Sequence, residues 1–346
     1  MLASACGGGA TTAPSSAPAA SSAAAATATP KPSPFKLMVS FSNVIGDELP
    51  LWSTKEGGFF EQNALEVGEL QSIASAQGVP ALIAGQIQVA QVGGSEILSA
   101  NAEGADLVVV AQIAGVYPFV LSVAPEIKTA ADLKGKRLSA AGGGVGSFNW
   151  VMGREVLKTA GLTVDDVQFI SQGTAGRLPG LVSGQLDGVA LHPEDVFLAQ
   201  NQKPGVHVLV TLSDLVPLYY FNAYGVSDDF LAKDRVLVRD AVASLMEANR
   251  AIYQDKAKVV PIMMQATEKP QDAVEFAYDF LTKGCIWSVN TGYKPERTAW
   301  TIDLAIANGD IPPDKKPPYE QVVDKSLGEE ALAQVGGTTT INGCSD

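Results

Sequence analysis

The chain holds only two histidines, His192 and His207, and three cysteines, Cys6, Cys285 and Cys344. That scarcity nearly excludes a Cys/His zinc cluster or a histidine-rich metal centre. A Ser-His-Asp arrangement survives only if one of the two histidines serves it. His192 stands in His192-Pro193-Glu194-Asp195, where a strand hands over to a helix. There it reads as a cleft hydrogen-bonding group or a capping histidine. Glu194 and Asp195 read as ligand contacts or as acidic residues favoured at a helix N-terminus by the dipole. His207 reads as a strand-edge residue.

Three more loops precede helices, where open α/β sheets bind their ligands. Asn43-Val44-Ile45-Gly46-Asp47 leads into a helix carrying Trp52. Gly93-Gly94-Ser95-Glu96 offers helix N-terminal amides to a polar ligand atom. Gly142-Gly143-Gly144-Val145-Gly146-Ser147-Phe148 invites a dinucleotide reading, but Ser147 stands where a third glycine of the G-x-G-x-x-G spacing belongs. The loop reads instead as close backbone approach at Gly144 to a small ligand, with Ser147 as N-cap or donor, or as a structural turn.

The segment Tyr219-Tyr220-Phe221-Asn222-Ala223-Tyr224 alternates, which predicts Tyr220, Asn222 and Tyr224 on one face and Tyr219 and Phe221 on the other. With Trp52, Tyr117 and Phe148 these rings suit a flat solute, or simply a core. An anionic ligand would want a guanidinium. Arg177, read as lying in the loop before the Pro179 helix, is the basic residue well placed for one; Arg154 reads as structural. An aromatic or heteroaromatic solute is therefore preferred to a small sulfonate.

The elements that must position these residues fit two lobes. The 346 residues exceed one small core. Composition is globular, with 46% hydrophobic and 18% charged residues. A formal charge of −13 disfavours nucleic acid as a partner. No apolar run reaches the ~18–20 residues of a membrane-spanning helix. Residues 7–34 are Gly, Ala, Ser, Thr, Pro and one Lys, a disordered tether by composition. Just ahead of it, Leu2-Ala3-Ser4-Ala5-Cys6-Gly7 resembles the cleavage site of a bacterial lipoprotein. The resemblance implies a lipid on Cys6 and a chain anchored outside the cytoplasm, its numbering starting inside its own leader; the alternative is an ordinary cysteine in a disordered arm. Cys285 and Cys344 then remain as an even pair, expected to form a disulfide pinning the polar tail, or to stay as two thiols.

Residues 65–92 and 164–191 align without a gap, sharing Ser72/Ser171, Ala76/Ala175, Pro80/Pro179, Leu82/Leu181, Gly85/Gly184 and Gln86/Gln185. Each copy reads as strand, polar loop, a helix beginning near proline, a glycine stop and a strand. Residues 36–42, 107–112 and 117–123 read as strands, the second in a parallel sheet and the third leaving lobe 1. Residues 218–225 read as the return crossing. Helices are expected at 49–56, 148–159, 236–253, 256–267, 272–281 and 296–308, the last four on lobe 1.

Gly57-Gly58-Phe59-Phe60-Glu61-Gln62-Asn63-Ala64-Leu65, Ala81-Leu82-Ile83-Ala84-Gly85-Gln86 and Asp132-Leu133-Lys134-Gly135-Lys136-Arg137-Leu138 follow one another in an order that resembles the solute-binding proteins of ABC importers serving sulfonates, nitrate and thiamine-pyrimidine precursors. The likeness covers about residues 36–325. It implies an α/β type II periplasmic-binding-protein fold, each lobe a mostly parallel sheet flanked by helices, with two hinge crossings. The expected divisions are 1–34, leader and linker; 35–123 with 225–346, lobe 1; and 124–224, lobe 2. It implies capture of a small ligand between the lobes, no catalysis, no cofactor, a monomer, and a permease as partner. Two other readings stay open: an enzyme on the same fold, of the pyrimidine-precursor synthase type, which would need a reactive cleft histidine and iron-binding groups, and a binder of an aliphatic sulfonate or nitrate-like anion.

Overall fold

Two five-stranded sheets of like order organise the chain. The computed structural model describes residues 36–346 apart from 43, 74, 116, 117 and 140–147. Among those residues the elements run β1 (Lys36–Leu37), β2 (Val39–Phe41), α1 (Leu49–Glu56), α2 (Phe59–Gln62), β3 (Glu66–Val67), β4 (Gln71–Ser72), α3 (Ser75–Ile83), β5 (Val89–Gly93), α4 (Gly94–Ala102) and β6 (Leu107–Ala114). Then come β7 (Val120–Val123), β8 (Arg137–Ser139), α5 (Phe148–Lys158), β9 (Gln168–Ile170), α6 (Thr174–Ser183), β10 (Gly188–Leu191), α7 (Pro193–Gln202), β11 (His207–Thr211) and α8 (Leu212–Leu215). Last are β12 (Asn222–Ser227), α9 (Asp228–Ile252), α10 (Lys256–Thr267), α11 (Gln271–Lys283), α12 (Pro295–Ala307), α13 (Tyr319–Val322) and α14 (Lys325–Gln334).

The first sheet has the order β4-β2-β5-β12-β6 and the second β9-β8-β10-β7-β11. In each, a parallel group is followed by one antiparallel strand, β12 or β7. The duplicated sequence thus occupies matching places: β4 with β9, and β5 with β10. Both antiparallel strands come directly after the chain has passed between sheets. This corrects where those passages lie. The segment 120–123 was expected to leave lobe 1, but β7 pairs wholly within the second sheet. The segment 222–225 was expected in the return crossing and its first residues in lobe 2, but β12 is an inner strand of the first sheet.

Three other expectations change. Strand β6 is an edge strand beside antiparallel β12, and is buried because the chain around Val323 bridges to Val109 along its outer side. Pro80 and Pro179 lie inside their helices, which start earlier, at Ser75 and Thr174. Helix α11 rests against α7 of the second lobe, with Phe197 and Phe276 at 5.4 Å between ring centres, as well as on the first.

Apolar side chains pack both faces of each sheet. Leu82, Val92, Ile97 and Tyr220 fill one face of the first sheet, under α3 and α4. Leu49, Leu51, Tyr224, Val242 and Met246 fill the other, and this core continues through Tyr219, Phe221 and Phe119 into Leu121 and Met152 of the second lobe. Leu181, Val189, Leu191 and Val196 close the remaining face. Cys285 and Cys344 form a disulfide, and the backbone N–H groups of Asn290 and Gly292 donate to the Asp346 carboxylate, so the tail is tied to the body.

Candidate functional site

The carboxyl ends of β2 and β10 face each other across the lobes. After β2 a single 3₁₀ turn, Gly46–Glu48, buries all three of its residues. The turn is held from behind by the indole Nε1 of Trp287, which donates to the Asp47 carbonyl at 3.0 Å. After β10, His192 takes the N-cap position of α7, with Pro193 in the first helical turn. Nδ1 of His192 lies 3.3 Å from Oδ1 of Asp47, and Nε2 lies 3.2 Å from Nη1 of Arg177. A guanidinium can only donate, so Nε2 must accept and the ring proton sits on Nδ1, facing Asp47. The imidazole also lies on Phe119, ring centres 3.8 Å apart, and Phe221 meets Phe119 edge-on at 5.5 Å.

A second link spans the same junction. The Gly46 N–H donates to Oε1 of Glu194 at 2.9 Å. Glycine suits this approach: a Cβ there would lie 3.1 Å from Oε2 of Glu194 and 2.2 Å from Cε of Met263. Beside it Lys269 pairs with Asp195. Further out, Arg154 reaches Asp310 at 3.1 Å and Lys158 reaches Asn308 at 2.8 Å, joining α5 to the end of α12.

The electrostatics follow from burial. Asp47, Glu48, His192 and Glu194 are all at most 2% exposed. Loss of water pushes the Asp47 carboxyl up to about 7, against opposing hydrogen bonding within its own turn and the Arg177 charge. Burial, with the adjacent Asp195 charge, pushes Glu194 up to about 7, against the Gly46 N–H. Burial and the Asp47 charge push Glu48 well above the usual carboxylate range. Ser42 is close enough to favour its charged form, yet neither Glu48 oxygen completes a hydrogen bond. Burial and the Arg177 charge push His192 well below the usual imidazole range, so the ring is neutral.

Of the residues read from sequence, the structure brings together Asp47, Arg177, His192, Glu194 and Asn222, whose Nδ2 lies 3.4 Å from Oδ2 of Asp47. Arg177 lies in the second turn of α6, not in a loop. Gly94 and Ser95 are occupied within the protein: the Gly94 N–H donates to the Phe221 carbonyl at 2.6 Å, and Ser95 Oγ accepts from the Tyr219 hydroxyl at 2.9 Å. Tyr220 is core, its ring filling the space a Gly94 side chain would need. Trp52 is buried edge-on against Phe41 at 6.1 Å. The predicted alternation fails because Tyr220 precedes β12, which begins at Asn222, so the period of two does not extend to it, and Tyr220 and Tyr224 fill opposite faces. Asn43, Tyr117, Gly144, Ser147 and Cys6, and the side chain of Phe148, lie outside the described residues. Sequence reasoning missed Glu48, Phe119, Lys269 and Trp287; Phe119 alone had a signal, standing next but one to Tyr117 at the strand's head.

Among the described residues, no group of three or more His, Cys, Asp or Glu is placed to hold a metal ion, and no helix is long and apolar enough to cross a membrane.

Residues 47–269 match the family described as NMT1/THI5 like. No curated protein matches the chain. Among solved structures it is similar to the periplasmic aliphatic sulphonate binding protein SsuA from Escherichia coli, at TM-score 0.69 and 22% identity over 85% of this chain and 93% of that one. It is similar to the periplasmic nitrate-binding protein NrtA from Synechocystis PCC 6803, at TM-score 0.71 and 16% identity over 89% and 90%. It is also similar to the desulfurization enzyme DSZB, at TM-score 0.61 and 16% identity over 86% and 100%. Likeness at these identities is likeness of fold, the two-lobed periplasmic-binding-protein fold.

Proposed function

The chain belongs to the NMT1/THI5-like family, and we propose that it is the extracytoplasmic solute-binding component of an ABC importer, capturing a small ring-bearing ligand between its lobes. In this reading it is a monomer, tethered through Cys6, that delivers its ligand to permease subunits. One observation carries the proposal: the loops after β2 and β10 meet across the lobes through Asp47–His192 and Gly46–Glu194, burying polar groups that a solute between the lobes would contact. Sulfonate- and nitrate-binding proteins of the same fold support the class of function. Phe119, Phe221 and the His192 ring supply the flat apolar surface.

The enzyme alternative draws support from the same fold in DSZB. It is disfavoured by His192. The ring's Nε2 lone pair faces Arg177, and burial with that charge holds the ring neutral well below the usual imidazole range, which makes it a poor proton carrier for a substrate.

A thermal-melting panel of vitamins, pyrimidines, flavins, sulfonates and aromatic acids tests the proposal. A true ligand at a hundredfold excess over its dissociation constant stabilises by about 2.7 kcal/mol. A flat response across the panel by a folded protein refutes it.

A further inference from the structure

We propose that the solute's buried end is a cationic nitrogen group, an ammonium or amidinium held between Asp47 and Glu194, and not an oxyanion; this rests on the binding-protein reading above. Carboxylate oxygens make up most of the unmet hydrogen-bonding capacity at the junction. Oδ1 of Asp47 and Oε2 of Glu194 are fully buried and complete no hydrogen bond, and nor does either oxygen of nearby Glu48. His192 is an independent pointer to a ligand. Its Nδ1 is buried and aimed at Asp47, yet at 3.3 Å it completes no hydrogen bond either, leaving the two groups one short adjustment from accommodating a third.

Several donors that an oxyanion would want are already in use. The Gly46 N–H serves Glu194, the Gly94 N–H serves Phe221, the Tyr219 hydroxyl serves Ser95, and Arg177 directs Nη1 to His192. The charges point the same way. Asp47, Glu48, Glu194 and Asp195 face Arg177 and Lys269, and Lys269 is paired with Asp195. A sulfonate or nitrate would add a negative charge to that excess in a medium that screens little; an ammonium or amidinium would neutralise part of it and donate to the open oxygens.

The test is melting at pH 8 of the full chain with three matched probes of one ring, benzamidine, benzamide and benzenesulfonate, together with benzylamine and nitrate. Benzamidine or benzylamine should stabilise most, and Glu194→Gln should weaken that probe at least tenfold while leaving benzamide unchanged. Asp47→Asn serves as the second variant, and the unliganded melt of each reports whether it folds. Stabilisation by benzenesulfonate or nitrate without the cations overturns this inference and leaves the receptor reading standing, as does equal stabilisation by benzamide. No response from these probes, with none from the wider panel above, overturns both.

Discussion

Asp47 and His192 are 145 positions apart, one after the second strand of the first sheet and the other after the tenth strand overall, yet their side chains approach to 3.3 Å with both at 1% side-chain exposure. Such a contact requires that the two sheets present the carboxyl ends of β2 and β10 to each other. The two loops do not hold equivalent places: β2 is second in the first sheet, whereas β10 is third in the second and is the counterpart of β5.

The first prediction concerns pH. The Asp47 and Glu194 carboxyls, raised from 3.8 and 4.5 to about 7, bind protons more tightly in the folded than in the unfolded chain. Their contribution to stability is complete below about pH 4 and is lost as pH rises through about 7. The unliganded protein should therefore melt at a lower temperature at pH 8 than at pH 5, by an amount worth on the order of 5 kcal/mol for the two groups together. The groups facing this pair are Arg177, His192, Glu48, Asp195 and Asn222. Asp47→Asn together with Glu194→Gln should flatten the slope; an unchanged slope would mean the pair is solvated.

Closure depends on Glu194. Replacing it with alanine leaves the Gly46 N–H without its charged acceptor, a loss of about 1.5–3 kcal/mol from the contact between lobes. The lobes should separate, read as a larger radius of gyration in solution scattering with secondary structure unchanged. Lys269→Ala, which leaves the Gly46 contact intact, should separate them less.

Much of this architecture was legible in the sequence, and the limits of legibility are instructive. Helix α10 lies where periodicity puts it, and α1, with its stop at Gly57-Gly58, does too. The repeat announced two similar units because strand, helix and strand are local and each copy carries its own proline and glycine. What failed was long-range. Nothing local says that β7 and β12 pair in the sheet they enter, or that Tyr220, just before β12 begins, fills the face opposite Tyr224. Asp47, Arg177, His192 and Glu194 were readable as loop or helix-head residues, but the contacts of Glu194 with Gly46 and of Trp287 with Asp47 span 148 and 240 positions. Pairings of that separation leave no periodic trace.

Gly94 tests the core assignment of Tyr220. A Cβ at position 94 would fall 1.9 Å from Cδ1 of Tyr220, so Gly94→Ala must displace a buried ring. The expected cost is about 1–3 kcal/mol in denaturant unfolding. In a Tyr220→Leu background the same change should cost less. Equal cost in both backgrounds would place the conflict elsewhere.

The disulfide predicts a stability loss without a loss of site geometry. Cys285 and Cys344 are separated by 59 positions, and breaking such a loop closure costs about 4 kcal/mol in the chain-entropy account. Cys285→Ser with Cys344→Ser should lower the unfolding free energy by about that amount and move the denaturant midpoint down, and reductant should do the same to the native protein while leaving the double variant unaffected.

The neutral, locked imidazole is open to direct observation, since the chain has two histidines and His207→Gln leaves one. In that background the His192 ring proton resonances should not titrate between pH 5 and 8, because burial first and the Arg177 charge second hold the ring well below its ordinary range. Arg177→Met removes the second cause and not the first. The His192 pKa should therefore rise yet stay under about 6.5, the unperturbed value. The variant also frees Nε2, so tautomer exchange should appear in the ring nitrogen shifts. A native ring that titrates near its ordinary value would show water reaching Asp47 and His192, and the closed junction would then be the wrong description of the unliganded protein.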